Sequence, residues 1–245
     1  DLIPFVSEEF ITMISFLKPV NIDKYGNIEN FDSKLKIVEI LQQDREAILS
    51  NIELKISKVD KVKKWIVDKK FSIVIDGANV GYFNNRPDKK NISYSQINNI
   101  KNYLIGKNFN PLIVLHKRHL DLKKLSRKNK EIVSKWQKDN IIFQTPVGEN
   151  DDLYWLYIGI YLNIHILTND LMRDHHFEII DNIKTETLKL NAFRRWISDY
   201  VIQYDIGYNK IIKVQNKKNY SNLIHIVSDK NYLFPNESGN YYLLK

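Results

Sequence analysis

Short apolar runs alternate with longer segments of helical periodicity through the centre of the chain. The strand-like runs are 71–75, 111–116, 140–145 and 164–168. The helical segments are 94–107, 118–139, 151–163 and 187–202. Strands and helices in alternation are typical of a parallel sheet with helices on both faces. The pattern therefore predicts an α/β fold with a parallel sheet at its centre.

The two ends of the chain depart from this alternation. Apolar spacing near 3.6 residues predicts a helix from Phe31, with Asp32 or Ser33 as its N-cap, and a second helix over 59–70. The tail segments NLIHIVSDKNYLF and NYYLLK predict short antiparallel strands around the turn SDKN. We therefore predict one domain over 31–202 and a small, partly β appendage formed by 1–30 and 203–245.

The composition favours a polyanionic partner. The chain has 245 residues, 37 Lys+Arg against 29 Asp+Glu and a net charge of +8, a balance that suits nucleic acid, although solubility alone would also explain it. With no cysteine, disulfides, thiolate zinc sites and Cys nucleophiles are excluded. No apolar run is long enough to cross a membrane, and no signal peptide is visible. We expect an intracellular protein.

Four aspartates stand where an apolar run ends or a loop turns into the next element. FSIVI runs into Asp76, HILTN runs into Asp170, and Asp151 and Asp152 open the run LYWLYIGIYL. Taken singly, each is most simply a turn residue or a helix cap. Taken together at the carboxyl edge of a parallel sheet, where α/β proteins place their sites, they suit one or two Mg²⁺ ions, or Mn²⁺. Such a cluster is suited to phosphodiester cleavage.

Residues around these aspartates have candidate supporting roles. Asn79 is placed to hold Asp76 or a metal-bound water by a hydrogen bond, and Gly77 is expected to supply a tight turn with a backbone angle that other residues resist. The segment TNDLMRDHHFEII adds Arg173, Asp174 and His175. The histidine has two open interpretations: it acts on water, phosphate or leaving group, or it is a structural hydrogen-bonding residue.

A basic segment follows the second predicted strand. The candidate RNA-binding residues there are Lys117, Arg118, Lys123, Lys124, Arg127 and Lys128, with Arg173, Arg194 and Arg195 further along the chain. Such a run is usually a solvated helix face, but its start should lie near the carboxylate edge and contact phosphate. Trp136, Trp155 and Trp196 occupy helical patterns and are predicted to be core residues.

The motifs together resemble protein-only RNase P. VIDGANVGYF, PLIVLHKRHL, TPVGENDDLYWLY, LTNDLMRDHHFEII and FRRW follow one another in the order of its metallonuclease domain, which is of the PIN-like (NYN) type. The resemblance covers about residues 35–245. It implies Mg²⁺-dependent removal of the 5′ leader from precursor tRNA, leaving a 5′-phosphate. It places the metal ligands on Asp76, Asp151, Asp152 and Asp170, and further active-site positions on Asp174 and His175.

Two features of the family are not found. Its members tether this domain through a zinc site of Cys and His residues, whereas this chain has no Cys and carries Leu233 where a His is expected. We therefore expect no structural zinc, and packing of Phe31, Tyr232, Phe234, Tyr241 and Tyr242 in its place. The pentatricopeptide RNA-binding domain is also absent, so another domain or protein is a possible partner. Family members occur in nucleus, mitochondria and plastids.

Two alternatives to leader removal stay open. One is a less specific NYN-type endonuclease that acts on other RNA. The other is a catalytically silent RNA-binding subunit, although four clustered carboxylates would repel RNA in the absence of metal.

Overall fold

The computed structural model divides into two compact units. The residues that it describes are 17–23, 25–35, 40–84, 91–172, 186–207, 212–215, 220–221, 224–228, 231–236 and 240–244. One unit, the terminal unit, comprises residues 1–40, 194–199 and 216–245, and the other, the central unit, comprises 41–193 and 200–215. The functional domain boundaries proposed from the sequence stay a prediction.

The helices and strands of both units are numbered in chain order. The helices in the described residues are α1 Gln42–Glu53, α2 Val59–Ile66, α3 Gly77–Tyr82, α4 Tyr94–Gly106, α5 Arg127–Lys138, α6 Asp151–Leu162 and α7 Glu186–Tyr200. The strands are β1 Lys18–Val20, β2 Ile73–Asp76, β3 Pro111–His116, β4 Ile142–Thr145, β5 His165–Leu167, β6 Val201–Ile202, β7 Tyr204–Ile206, β8 Ile212–Val214, β9 His225–Ser228, β10 Asn231–Pro235 and β11 Tyr241–Leu244. None of the described helices is long and apolar enough to cross a membrane.

A five-stranded parallel sheet organises the central unit. Its order is β4-β3-β2-β5-β6, and every neighbouring pair is parallel. All residues of β2 and β3 are buried, as expected for strands covered on both faces. Trp136 and Trp155 are fully buried beside the sheet. The predicted α/β fold is therefore confirmed, and the carboxyl ends of β2, β3, β4 and β5 share one edge.

Two predicted helices begin later than the sequence pattern indicated. The helix expected from Asp32 or Ser33 begins only at Gln42, because Leu35 is buried in the terminal unit, where its N–H donates to the carbonyl of Gly26. The helix expected over 118–139 is limited to a 3-10 turn, Lys117–His119, and to α5. Between them, Asp121 accepts the N–H of Lys123 and Ser126 caps α5 anew; these local bonds compete with helix.

The terminal unit is an antiparallel sheet of order β1-β11-β10-β9, which confirms the predicted tail strands and joins the two ends of the chain. Leu233 is fully buried at its core. Phe31 and Tyr241 pack in the same cluster, as expected. The other expected aromatics contribute less, since Tyr232 is 36% exposed, and the remaining two, Phe234 and Tyr242, are half-buried. Trp196, assigned to this unit, is 1% exposed.

Candidate active site

Asp76 lies at the carboxyl end of the central strand β2 and is 3% exposed. Its Oδ1 accepts the backbone N–H of Asn79 at 3.0 Å. Asp76 is therefore also the N-cap of α3, which is the role predicted for an aspartate in this position when it is considered singly. Its Oδ2 accepts the hydroxyl of Thr168 at 2.9 Å. The carboxylate is therefore fixed in orientation from both sides.

Gly77 has a different role from the one expected. The residues after Asp76 form helix α3 rather than a turn, and Gly77 does not adopt the left-handed conformation. A Cβ at this position would lie 2.7 Å from the carbonyl oxygen of Val114 on β3. The glycine is required because the helix start approaches the neighbouring strand closely.

Asp151 and Asp152 open helix α6 without capping it. The cap is Asn150, whose side chain accepts the N–H of Asp152 at 3.0 Å. Asp152 accepts the indole N–H of Trp155 at 3.1 Å, whereas the buried Oδ2 of Asp151 has no hydrogen-bond partner in the described part of the chain. A cap therefore explains neither carboxylate, and the buried Oδ2 of Asp151 requires a cation or an ordered water as its partner.

Asp170 is placed by the loop after β5. Its N–H donates to the hydroxyl oxygen of Thr168 at 3.1 Å, and its Oδ1 accepts the N–H of Met172 at 2.7 Å. Thr168 is thus hydrogen-bonded to both Asp76 and Asp170. Because β5 neighbours β2 in the sheet, this hydroxyl connects the two carboxylate-bearing strand ends.

Asn79 supports the site through both its backbone and its side chain. Its N–H donates to Asp76, and its side-chain oxygen accepts the N–H of Asn169 at 3.1 Å and the hydroxyl of Tyr204 at 2.8 Å. Its side-chain NH₂ group makes no hydrogen bond to the described residues, and Asn79 lines the candidate pocket. Contact of this NH₂ group with a water or substrate stays a prediction.

These elements surround an open pocket of about 360 Å³. Its lining residues are Asp76, Ala78, Asn79, Tyr82, Phe83, Asp152 and Asp170. Three of the four predicted aspartates thus share one pocket. The fourth, Asp151, neighbours it in sequence at the start of α6.

Burial and neighbouring negative charge perturb Asp76. Its pKa is raised to about 7, mainly by desolvation on burial and further by the charges of Asp152 and Asp151, against the lowering effect of its two hydrogen bonds. The metal-free site therefore disfavours the ionised form. A bound cation would favour that form and relieve the repulsion.

The donor set fits a hard divalent cation. In the described residues, no three Asp, Glu, His or Cys side chains converge closely enough to hold an ion together. The chemistry nevertheless agrees with such an ion, because all candidate donors are oxygens. Asp151 has an unpaired buried oxygen and Asp76 an unfavourably desolvated charge.

The predicted basic residues after β3 are exposed but have different surroundings. Lys117 and Arg118 form the exposed 3-10 turn directly after β3, at the same sheet edge as Asp76. Lys124 and Arg127 are ion-paired, at 3.6 Å to Asp121 and 3.4 Å to Glu131. The others are Lys123, which is exposed, and Lys128, which lines a separate groove between α4 and α5.

Several predicted residues lie elsewhere. Arg194 is exposed and Arg195 half-buried, and both are assigned to the terminal unit. The predicted residues Arg173, Asp174 and His175 lie outside the described residues. All roles proposed for these five residues stay predictions.

Aromatic rings and a histidine that the sequence analysis does not include among the site residues lie beside the pocket. Tyr82 and Phe83 line it, and His119 meets Tyr82 edge-on with 5.8 Å between ring centroids. Burial lowers the pKa of His119, as does the neighbouring Arg118, whereas the charge of Asp151 raises it. The HKRH motif after β3 was the available signal, but only its lysine and arginine were recognised.

Tyr204 also supports the site from a distant position in the chain. Its hydroxyl donates to Asn79, and its pKa is raised by burial and by the charge of Asp76. It stands more than a hundred residues after Asn79, so no local motif could have indicated this contact.

Comparison with known proteins identifies the family. The family described as "Protein-only RNase P" matches residues 22–241. Proteinaceous RNase P 2 of Arabidopsis thaliana is 31% identical over 137 residues, which are 55% of this chain and 24% of the relative. Proteinaceous RNase P 1, chloroplastic/mitochondrial, of the same plant is 26% identical over 231 residues, 89% of this chain and 38% of the relative.

The fold has also been seen in a solved structure. The crystal structure of nuclear proteinaceous RNase P 2 from A. thaliana matches with a TM-score of 0.74 and 24% identity, over 93% of this chain and 49% of that one. This likeness establishes the shared fold. The chain spans less than two fifths of the length of these two curated relatives, but the family match extends over nearly all of its own residues. The chain therefore belongs to the protein-only RNase P family.

Proposed function

We propose that this chain is an endoribonuclease that removes the 5′ leader of precursor tRNA. The observation that carries the proposal is the pocket in which Asp76, Asp152 and Asp170 meet at the carboxyl edge of the sheet, in a chain that belongs to this family. Relatives of similar sequence are named proteinaceous RNase P. A basic chain with a net charge of +8 suits an RNA substrate.

The aspartates would hold the metal. Asp76, Asp151, Asp152 and Asp170 supply hard oxygen donors for one or two Mg²⁺ ions, with Mn²⁺ as a possible substitute. When bound there, such an ion lowers the pKa of water and offsets the negative charge of the reacting phosphate. Thr168 and the N–H of Asn79 keep the Asp76 carboxylate in place.

Other groups of the chain orient the RNA. Lys117 and Arg118, at the same sheet edge, are placed to contact phosphates beside the scissile bond. The N-termini of α3 and α6 both begin at the site, and their partial positive charge favours anions. The family resemblance adds Asp174 and His175 as further active-site residues.

Water, rather than a protein side chain, would be the nucleophile. The chain has no cysteine, and the described residues that line the pocket include no serine or lysine. Attack by water with departure of the 3′ oxygen leaves a 5′-phosphate on the tRNA and a 3′-hydroxyl on the leader. The RNA's own 2′-hydroxyl would instead leave a 2′,3′-cyclic phosphate.

Affinity for tRNA is proposed to depend on a further RNA-binding domain or protein. The chain corresponds to 49% of the length of the solved relative. Relatives carry nuclear and chloroplastic/mitochondrial in their names, so we propose an intracellular site of action.

A substrate comparison tests the proposal. Precursor tRNA, mature tRNA and an unstructured RNA are incubated with the protein, with and without Mg²⁺. We expect Mg²⁺-dependent cleavage of the precursor at the leader junction and little cleavage of the other two. Equal cleavage of all three would indicate a less specific nuclease, and binding without cleavage would indicate a silent RNA-binding subunit.

A further inference from the structure

A basic groove lies on the central unit beside the carboxylate pocket. It has a volume of about 620 Å³ and is open to solvent on one side. Its lining includes Lys58, Lys61, Lys117, Trp65, Thr145, Glu149 and Tyr154. The lining combines lysines with aromatic rings, as do the sites that bind single-stranded nucleic acid.

The groove is positively charged. Lys58, Lys61 and Lys117 form no ion pair within the described residues. The opposing acid, Glu149, accepts hydrogen bonds from Ser57 and from the hydroxyl of Tyr154. Three lysine charges therefore stand against one carboxylate that is already satisfied, which favours an anionic ligand.

Thr145 supplies an unsatisfied polar group at the base of the groove. It ends β4 and is fully buried. Its hydroxyl has no hydrogen-bond partner in the part of the chain that the structure describes. Buried hydroxyls are normally paired, so this group indicates a ligand atom or an ordered water in the groove.

Lys58 occupies a position that does not favour lysine. It precedes helix α2 with φ 62°, in the left-handed region, which glycine or asparagine adopts more readily. A strained residue that lines a site is a reason to look for function there. Glycine would relieve the strain at this position, but it would lack the ammonium group that Lys58 brings to the groove.

The groove adjoins the carboxylate pocket. Thr145 pairs with His116 at the end of β3, and Val114 of β3 pairs with Asp76. The two sites are thus separated by two strand spacings, about 10 Å at the usual separation of about 4.8 Å. The turn Lys117–His119 spans this interval, since Lys117 lines the groove and His119 contacts Tyr82 in the pocket.

We propose that this groove binds the single-stranded 5′ leader next to the cleavage point. Unpaired bases would contact the exposed part of Trp65, whose ring already packs against Phe71 and the Lys69 ammonium group. Lys58, Lys61 and Lys117 would contact the leader phosphates. Paired bases of the tRNA acceptor stem have no exposed face for such a contact, which favours the leader over the paired stem. The identity of the bound RNA as a tRNA leader rests on the proposed function. The presence of an RNA-binding site in the groove does not.

Trp65 provides a direct signal. Of the four tryptophans, Trp136, Trp155 and Trp196 are at most 1% exposed, whereas Trp65 is half-buried at the groove. A short unstructured RNA, titrated in EDTA so that no cleavage occurs, should quench tryptophan fluorescence to saturation. Trp65→Phe should abolish the quenching. Binding of the same RNA without any quenching would overturn the proposal.

Lysine variants separate binding from folding. Lys58→Gly relieves the left-handed strain, so it should raise the melting temperature while it weakens binding of the short RNA. Lys61→Ala should weaken binding similarly, and each should reduce the slope of log K against log salt by about 0.7, as for one phosphate contact on a single strand. The matched control is Lys64→Ala, on the same helix and outside the groove, which should change neither. Unchanged affinity in Lys58→Gly and Lys61→Ala would overturn the proposal.

Leader length identifies the occupant. Lys58→Gly and Lys61→Ala should weaken binding of precursor tRNA with a long leader and leave binding of leaderless tRNA unchanged. An equal loss for both RNAs would place the tRNA body in the groove and overturn the assignment to the leader. Failure of the wild-type protein to cleave precursor tRNA would refute the proposed function, whereas quenching of Trp65 by the short RNA would still support the groove as an RNA site.

Discussion

Replacement of Asp76 by asparagine should stabilise the metal-free protein at alkaline pH. Burial raises the pKa of this carboxyl from 3.8 to about 7. A carboxyl group whose pKa is higher in the folded than in the unfolded protein does not destabilise the fold below the unfolded pKa. The fold loses stability as the pH rises from the unfolded pKa through the folded pKa, because the carboxyl group must then ionise in its buried position. Above pH 7 the ionised Asp76 therefore destabilises the fold by about 4 kcal/mol, at 1.36 kcal/mol per pKa unit.

Asparagine removes this charge and keeps the size of the side chain. It can accept only one of the two hydrogen bonds that Asp76 receives from Asn79 and Thr168, a loss of about 1 kcal/mol. At pH 8.5 the Asp76→Asn variant should thus be more stable than the wild type by about 3 kcal/mol. At pH 5, the burial of Asp76 already destabilises the wild type in part, because its unfolded pKa is 3.8. The stability of Asp76→Asn relative to the wild type should therefore be about 2–3 kcal/mol lower at pH 5 than at pH 8.5.

Urea unfolding in EDTA at pH 5 and pH 8.5 measures this difference. The control is Asp68→Asn, an exposed carboxylate, whose effect should not change over this pH range. A stability difference between Asp76→Asn and the wild type that is the same at both pH values would refute the burial argument.

Three further predictions follow from the same contacts. Asp76→Asn, Asp152→Asn and Asp170→Asn should each reduce single-turnover cleavage of precursor tRNA by at least about 100-fold, since the loss of even an outer-shell partner of a metal ligand costs about 10–100-fold, with RNA affinity in Ca²⁺ retained; near-normal cleavage would remove that residue from the site. Lys117→Ala with Arg118→Ala should flatten the salt dependence of RNA binding more than Lys124→Ala with Arg127→Ala, whose side chains are ion-paired; equal slopes would contradict a special role for the sheet edge. Leu233→Ala should destabilise the terminal unit by about 2–5 kcal/mol, whereas a chelator should leave its circular dichroism unchanged; loss of structure with release of zinc would disprove the expected absence of a structural zinc.

The sheet and its edge were predictable because their signals are local. The apolar runs that became β2, β3 and β5 end within a residue or two of their predicted positions. The direction of parallel strands then fixes which ends share an edge. The candidate aspartates Asp76, Asp152 and Asp170 were therefore identifiable as neighbours without coordinates.

Errors arose where a local pattern competed with a distant contact. Leu35 fits a helical period, but its burial in the terminal unit, beside chain segments some 200 residues away, excludes it from the helix. Gly77 was assigned to a turn because its sequence context shows no sign of the Val114 carbonyl that it approaches. Periodicity describes which residues are buried, but not what they are buried against.

The supporting residues of the site were the least predictable. Thr168 bonds two aspartates through one hydroxyl, and Tyr204 reaches Asn79 across the sheet edge. A single threonine or tyrosine carries no motif. Such partners follow only from the path of the chain after the strands are placed.

Mapping the product ends of one cleavage reaction tests the central claim most directly. Precursor tRNA labelled separately at each end is incubated with the protein and Mg²⁺, and the terminal groups of both products are determined. The account predicts a single cut at the leader junction, with a 5′-phosphate on the tRNA and a 3′-hydroxyl on the leader. A 5′-hydroxyl on the tRNA with a cyclic phosphate on the leader, or cuts scattered along the RNA, would contradict it.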